Sequence, residues 1–199
     1  MIQRFRCEPA VSLLAREITR ARRGARSERD LAERVAAVLD VTLARGRGWL
    51  WPEHREPGIS DYRQHVLYTS SDGGFSIASL VWQPGQRTCI HDHVCWCVVG
   101  VYRGVEVETS FDLHGDAWDR FLVPTSSRLL EPGQVSMLVP PEEDIHQVAC
   151  GGRETAISIH VYGTDIATRG TSINHRFDDL RIRPHPVGAP RTLWRAVAG

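Results

Sequence analysis

From Tyr62 to Tyr162 the chain is a succession of short runs rich in Val, Ile, Thr and Tyr, punctuated by Gly and Pro. The runs fall at 65–69, 75–82, 88–93, 97–102, 105–111, 134–138, 147–150 and 156–162. Between them stand Ser71-Asp72-Gly73-Gly74, Pro84-Gly85, Arg103-Gly104, Pro132-Gly133 and Gly151-Gly152, which reverse a chain where strands stop. This pattern predicts a mainly β fold, an antiparallel barrel or jelly roll, because closure or stacking removes the exposed edges of short strands. No internal repeat of fixed period is present.

The first 48 residues have a different texture. Leu13, Leu14 and Ile18, then Leu31, Val35, Val38 and Leu39, follow the 3.6-residue spacing of two short amphipathic helices. Polar residues around Gly24 separate them, and Ser27 suits the start of the second. Residues 1–48 are therefore expected to form a helical region packed on a barrel at 49–180. The Pro- and Arg-rich residues 181–199 are expected to lie on the surface. The first fifty residues carry eleven arginines against six acids. Interleaved acids and few aromatics favour a solvated helix face over an RNA-binding arm.

Composition narrows the chemistry. The 199 residues hold 24 basic and 24 acidic side chains, a net charge of zero that argues against a general nucleic-acid binder. Every basic residue is arginine, so Schiff-base and P-loop lysine chemistry are excluded. Five cysteines, an odd number without an apolar signal run at Met1–Ala10, point to free thiols in a reducing cytoplasm. Cys7, Cys89, Cys95 and Cys150 read as packing residues. No stretch approaches the ~20 apolar residues of a membrane span.

Among nine histidines, His91-Asp92-His93 ends a predicted strand. Residues i and i+2 of a strand share a face, so both imidazoles can reach one ion while Asp92 points away. Such a pair alone is as often structural as metal-binding. Its surroundings resemble the first cupin signature, G-x5-H-x-H-x3-E-x6-G: Gly85, His91, His93 and Gly104 fall in place, with Cys97 at the glutamate position. Pro141 to His146 keeps the Pro-to-His spacing of the second signature without its glycine. The resemblance implies a cupin double-stranded β-helix with His91, His93 and His146 as metal ligands. A site of three neutral imidazoles leaves the full charge on the ion and favours an anionic ligand such as a thiolate.

Ser158, His160 and Tyr162 alternate along the last strand and share one face. They resemble the S-x-H-x-Y strand of the cysteine dioxygenase family of thiol dioxygenases, across roughly Tyr62 to Phe177. No acid is placed to orient His160 as in a serine protease. Tyr62-Arg63-Gln64 puts Gln64 where eukaryotic members have a carboxylate-binding arginine, as in the glutamine-type bacterial members typified by 3-mercaptopropionate dioxygenase. A glutamine cannot pair bidentately with a carboxylate. Arg169, or alternatively Arg176, is then expected to hold it. Trp96 reads as a pocket wall or as a plain core residue. Cys97 reads as a thioether partner of Tyr162 or as a small buried thiol.

The resemblance implies Fe(II) as cofactor, O2 as co-substrate and a small carboxylate-bearing thiol, 3-mercaptopropionate or cysteine, as the molecule oxidised to a sulfinate. Catalytic roles fall to Tyr162, His160 and Ser158. A monomer or homodimer without nucleic-acid or membrane partners is expected. Three other readings stay open. The first is a related enzyme with another thiol or another metal, nickel or manganese. The second is a non-catalytic metal- or ligand-binding cupin. The third is a sensor whose basic helices bind nucleic acid.

Overall fold

The computed structural model of the chain describes residues 8–116, 118–141 and 144–184. Cys7, the other residues before Glu8, Glu142 and Glu143 of the second signature, and residues 185–199 lie outside the described residues. Two helices, α1 (Pro9–Arg23) and α2 (Glu28–Leu43), precede eleven strands. These are β1 (Arg63–Thr69), β2 (Ser76–Trp82), β3 (His91–His93), β4 (Cys97–Arg103), β5 (Glu106–His114), β6 (Phe121–Leu130), β7 (Val135–Leu138), β8 (His146–Cys150), β9 (Ala156–Tyr162), β10 (Ile173–Arg176) and β11 (Arg181–Ile182). A one-turn helix α3 (Ile166–Arg169) joins β9 to β10.

The strands form two sheets, ordered β1-β2-β9-β4-β7 and β10-β3-β8-β5-β6-β11. Every pairing is antiparallel except β11 with β6. The fold is the mainly β jelly roll read from the turns, with two N-terminal helices.

Alternation along the central strands sorts side chains between two apolar layers. Ile157, Ile159 and Val161 of β9 face outward and pack with Val98 of β4 beneath α1 and α2. The helices supply Val11, Leu14, Ile18, Val35 and Leu39, all fully buried, to the same layer. Ala78, Leu80 and Trp82 of β2 face inward with Cys97, Val99 and Tyr162. Both faces of β9 are thus covered, which is why its seven residues are all buried. Helix α2 begins at Ser27, whose hydroxyl accepts from the Asp30 N–H at 3.1 Å, while the Asp30 carboxylate accepts from the Arg26 N–H. It crosses β4 at Gly100, where a Cβ would meet Leu43 Cδ1 at 2.6 Å and Leu39 Cδ2 at 2.9 Å. Only a glycine admits the helix that closely.

Four strands depart from the expectation. Strand β6 was not anticipated, because Pro124 and the polar run Thr125–Arg128 interrupt its apolar residues. The proline sits opposite Phe111 beside a register shift in β5, an irregularity that tolerates a missing N–H. Strand β3 is shorter than 88–93 because Arg87 and Thr88 pair only locally with β8. Residues 173–176 form β10 against β3, and Arg181–Ile182 lies alongside β6. Arg183 covers the Phe121 ring and pairs with Asp119, so the described start of the C-terminal segment is tied down.

Candidate metal centre

His91 and His93 alternate on β3, and His91 lies directly opposite His146 on β8. That register brings three rings together at centroid separations of 4.8, 4.8 and 4.9 Å, with mutual tilts of 57–60°. One ring nitrogen from each lies within 4.8 Å of the others. All three residues are buried.

Each ring has its Nδ1 occupied. His91 Nδ1 donates to the Cys89 carbonyl at 2.9 Å. His93 Nδ1 donates to Asp144 Oδ1 at 2.7 Å, and the other oxygen of that carboxylate accepts the His93 backbone N–H at 2.7 Å. His146 Nδ1 donates to Glu108 Oε1 at 2.9 Å. With the protons fixed on Nδ1, the Nε2 lone pairs are free to converge. Burial, reinforced by the neighbouring imidazoles, pushes the His91 pKa down to about 2, and burial lowers that of His93 against the pull of Asp144. Burial alone would raise Glu108, but the His146 ring and the Arg128 guanidinium outweigh it and hold the carboxyl at about 2. Pre-oriented imidazoles, two of them on carboxylate outer partners and one on a backbone carbonyl, are the donor set a divalent transition ion requires. The residues present therefore fit a metal.

Glu108 and Asp144 were not anticipated from sequence. Asp144 had a signal, standing two residues before His146. Glu108 had none beyond its place in a strand.

A cavity of about 380 Å³ opens over the three rings. His160 and Tyr162 line it from β9. Ser158 stands behind them: its hydroxyl bonds His160 Nε2 at 2.9 Å, and His160 Nδ1 bonds the Tyr162 hydroxyl at 3.1 Å. The Trp82 indole N–H donates to Ser158 at 3.3 Å. Burial pushes the His160 pKa down to about 3, so the ring is neutral. Burial, with the Cys97 thiol beside it, pushes Tyr162 well above its ordinary value. Cys97 lies opposite Tyr162 in the β4–β9 register, with its sulfur 4.0 Å from His160 Nδ1.

Gln64 and Arg176 line the mouth of the cavity. Two expected residues do not line it. Arg169 is exposed on α3, because the chain turns at Gly170 before β10 reaches the opening. Trp96 is buried in the layer under the helices, with its indole against Gly163, where a Cβ would come within 2.3 Å. Trp96 thus lies in the core, and of the two arginines Arg176 lines the cavity.

Among the described residues no helix is long and apolar enough to cross a membrane. No protein-family model matches the chain. Among solved structures, a cupin superfamily protein from Desulfitobacterium hafniense is 16% identical, covering 55% of this chain and 84% of its own, with a TM-score of 0.41. A protein with a double-stranded β-helix domain from Klebsiella pneumoniae is 17% identical, covering 57% and 80%, at 0.45. A recombinant oxalate oxidase in complex with glycolate is 14% identical, covering 55% and 56%, at 0.41. These are likenesses of fold, at identities too low to carry chemistry from one chain to another.

Proposed function

We propose that the protein is a non-haem iron thiol dioxygenase that converts a small carboxylate-bearing thiol and O2 into the sulfinate. The observation that supports this best is one cavity lined by three converging imidazoles and by His160 and Tyr162 of the hydrogen-bonded Ser158–His160–Tyr162 row. His91, His93 and His146 would hold the metal. Bound Fe(II) would lower the thiol pKa and let electrons pass from sulfur to O2. Two S–O bonds form, the O–O bond breaks, sulfur is oxidised, O2 is reduced, and the thiol proton is released.

The chain's own residues position the substrate. Arg176 would pair with the carboxylate, and Gln64, also on the lining, would donate a hydrogen bond. Leu80, Val99 and Val148 on the walls limit water around the sulfur. Tyr162 presents a neutral hydroxyl, and His160, being neutral, orients it rather than supplying charge.

The test is anaerobic loading with Fe(II), Ni(II) or Mn(II), followed by oxygen uptake and sulfinate detection across 3-mercaptopropionate, cysteine, cysteamine and mercaptosuccinate. The iron form should consume one O2 per sulfinate and act poorly on cysteamine, which has no carboxylate. His91→Ala should lose iron and turnover. Failure to oxidise any of these thiols, or full iron binding and activity in His91→Ala, would overturn the reading.

A further inference from the structure

Glu106 is the one buried carboxyl whose two oxygens both lack a hydrogen-bond partner among the described residues. It is fully buried on β5, with the Ser158 hydroxyl and the Trp82 indole as polar neighbours. Glu108, on the same face of the strand, is engaged by His146 and Arg128, so its charge is compensated. Glu106 has no such partner. An isolated carboxylate in this position would carry a large desolvation cost, and the group avoids it by keeping its proton.

We propose that Glu106 is a positioning residue that sets the hydrogen-bond direction of the Ser158–His160–Tyr162 row through its protonation state. Its catalytic consequence rests on the dioxygenase reading above; the direction of the row does not.

The argument is one of donor counting. A serine hydroxyl has one hydrogen and two acceptor positions. The Trp82 N–H takes one position at 3.3 Å. The second is open to the O–H of neutral Glu106, whose carboxyl is held by no other partner among the described residues and needs only turn to donate it. The Ser158 hydrogen is then given to His160 Nε2, which fixes the ring's proton on Nδ1, and Nδ1–H donates to the Tyr162 oxygen. Tyr162 keeps its own hydrogen for the cavity, where Ser172 lies beside it and the substrate binds.

Ionised Glu106 is an acceptor only. It takes the Ser158 hydrogen, Ser158 accepts from Nε2–H, and Nδ1 accepts the Tyr162 hydrogen. One proton has left Glu106 and every bond in the row has reversed. Tyr162 then has no hydrogen to offer the cavity.

The titratable groups around Glu106 are few. Burial pushes its pKa up to about 8, opposed by Ser158 and Trp82 and assisted by Glu108. Cys150 of β8 stands opposite in the register, Arg128 of β6 is engaged by Glu108, and His160 and Tyr162 of β9 lie beyond Ser158.

The test uses the full chain and three readouts. In infrared difference titration the wild type should show a protonated-carboxyl band near neutral pH that disappears with a midpoint near 8 and is missing from Glu106→Gln. The ring 15N shifts of His160, read without metal, should change from the Nδ1–H to the Nε2–H form between about pH 6 and about pH 9.5. In the iron enzyme, kcat should fall about tenfold between about pH 7 and about pH 9, and Glu106→Gln should lose that fall because its amide cannot ionise. Absence of the band at neutral pH, one His160 tautomer throughout, or an unchanged alkaline fall in Glu106→Gln would each overturn the proposal. Should Glu106→Gln fail to fold, the wild-type infrared and 15N titrations still decide it. Should no thiol be oxidised, the dioxygenase reading fails while those two readouts judge the direction of the row.

Discussion

Replacing Glu108 by Gln tests whether the outer partners govern the metal centre. Glu108 is 2% exposed, with Oε1 2.9 Å from His146 Nδ1 and Oε2 on the Arg128 guanidinium. Glutamine keeps the volume and still offers an oxygen to the ring N–H. It removes the negative charge that makes the imidazole a stronger donor to the ion, and it presents an amide N–H to Arg128. The Arg128 side chain is 44% exposed and can turn to water, so folding should lose only about 1 kcal/mol. Loss of an outer partner of a metal-bound histidine typically weakens metal binding 10–100-fold, or about 1.4–2.7 kcal/mol. Leucine at the same place would also orphan the buried His146 N–H, adding about 1–3 kcal/mol against the folded state. Anaerobic competition for Fe(II) against a chromophoric chelator measures the first effect, and chemical unfolding the second. Binding by Glu108→Gln within about twofold of wild type would refute the reasoning, since the charge would then do nothing for the ring.

Three further outcomes are expected. Gly100→Ala should push on Leu39 and Leu43, destabilising by about 1–3 kcal/mol and lowering Tm by about 2–12 °C in calorimetry; an unchanged Tm would mean that α2 moves freely. Arg176→Gln should raise KM for carboxylate thiols about tenfold or more with little change in kcat, whereas Arg169→Gln, altered outside the cavity, should stay within about twofold. Cys97 faces Tyr162 across two paired strands, so peptide mapping of enzyme that has turned over with O2 should find the two residues joined by a thioether and lighter by two hydrogens. A free Cys97 thiol in fully active enzyme would remove that expectation.

What was legible in the chain was whatever depends on local period. Residues 156–162 read as a strand from alternation alone, and they form β9 with those bounds. The i, i+2 spacing of His91 and His93 implied a shared face, and the register with His146 completes the group. What was not legible depends on which face closes over which. Val105-Glu106-Val107-Glu108 alternates, and polarity alone would turn the valines inward. The structure does the reverse, burying both glutamates and leaving the valines half-exposed, because the barrel interior here holds His146 and Ser158. Trp96 and Arg176 were hard to place for a related reason. Whether a side chain meets the cavity is decided by how β10 folds back onto β3, a contact about eighty residues apart in sequence, and no local pattern encodes it.

The two halves of the site hang on different sheets. His91, His93 and His146 belong to the six-stranded sheet, held in turn by the Cys89 carbonyl, by Asp144 just before β8 and by Glu108 on β5 of that sheet. Ser158, His160 and Tyr162 belong to the five-stranded sheet. Among the described residues no backbone ladder joins these halves in the cavity region; the packing of Trp82, Val99, Leu138 and Val148 sets their spacing. Helices α1 and α2 press on the outer face of the five-stranded sheet, at Gly100 and behind Ile159 and Val161. A disturbance under the helices should therefore shift the Tyr162 hydroxyl relative to the rings without touching the rings' own anchors. Gly100→Ala should lower kcat while metal affinity stays near wild type, whereas Glu108→Gln should weaken metal affinity first. Equal loss of metal affinity in both variants would mean that the sheets move as one body and that the helices support the metal centre directly.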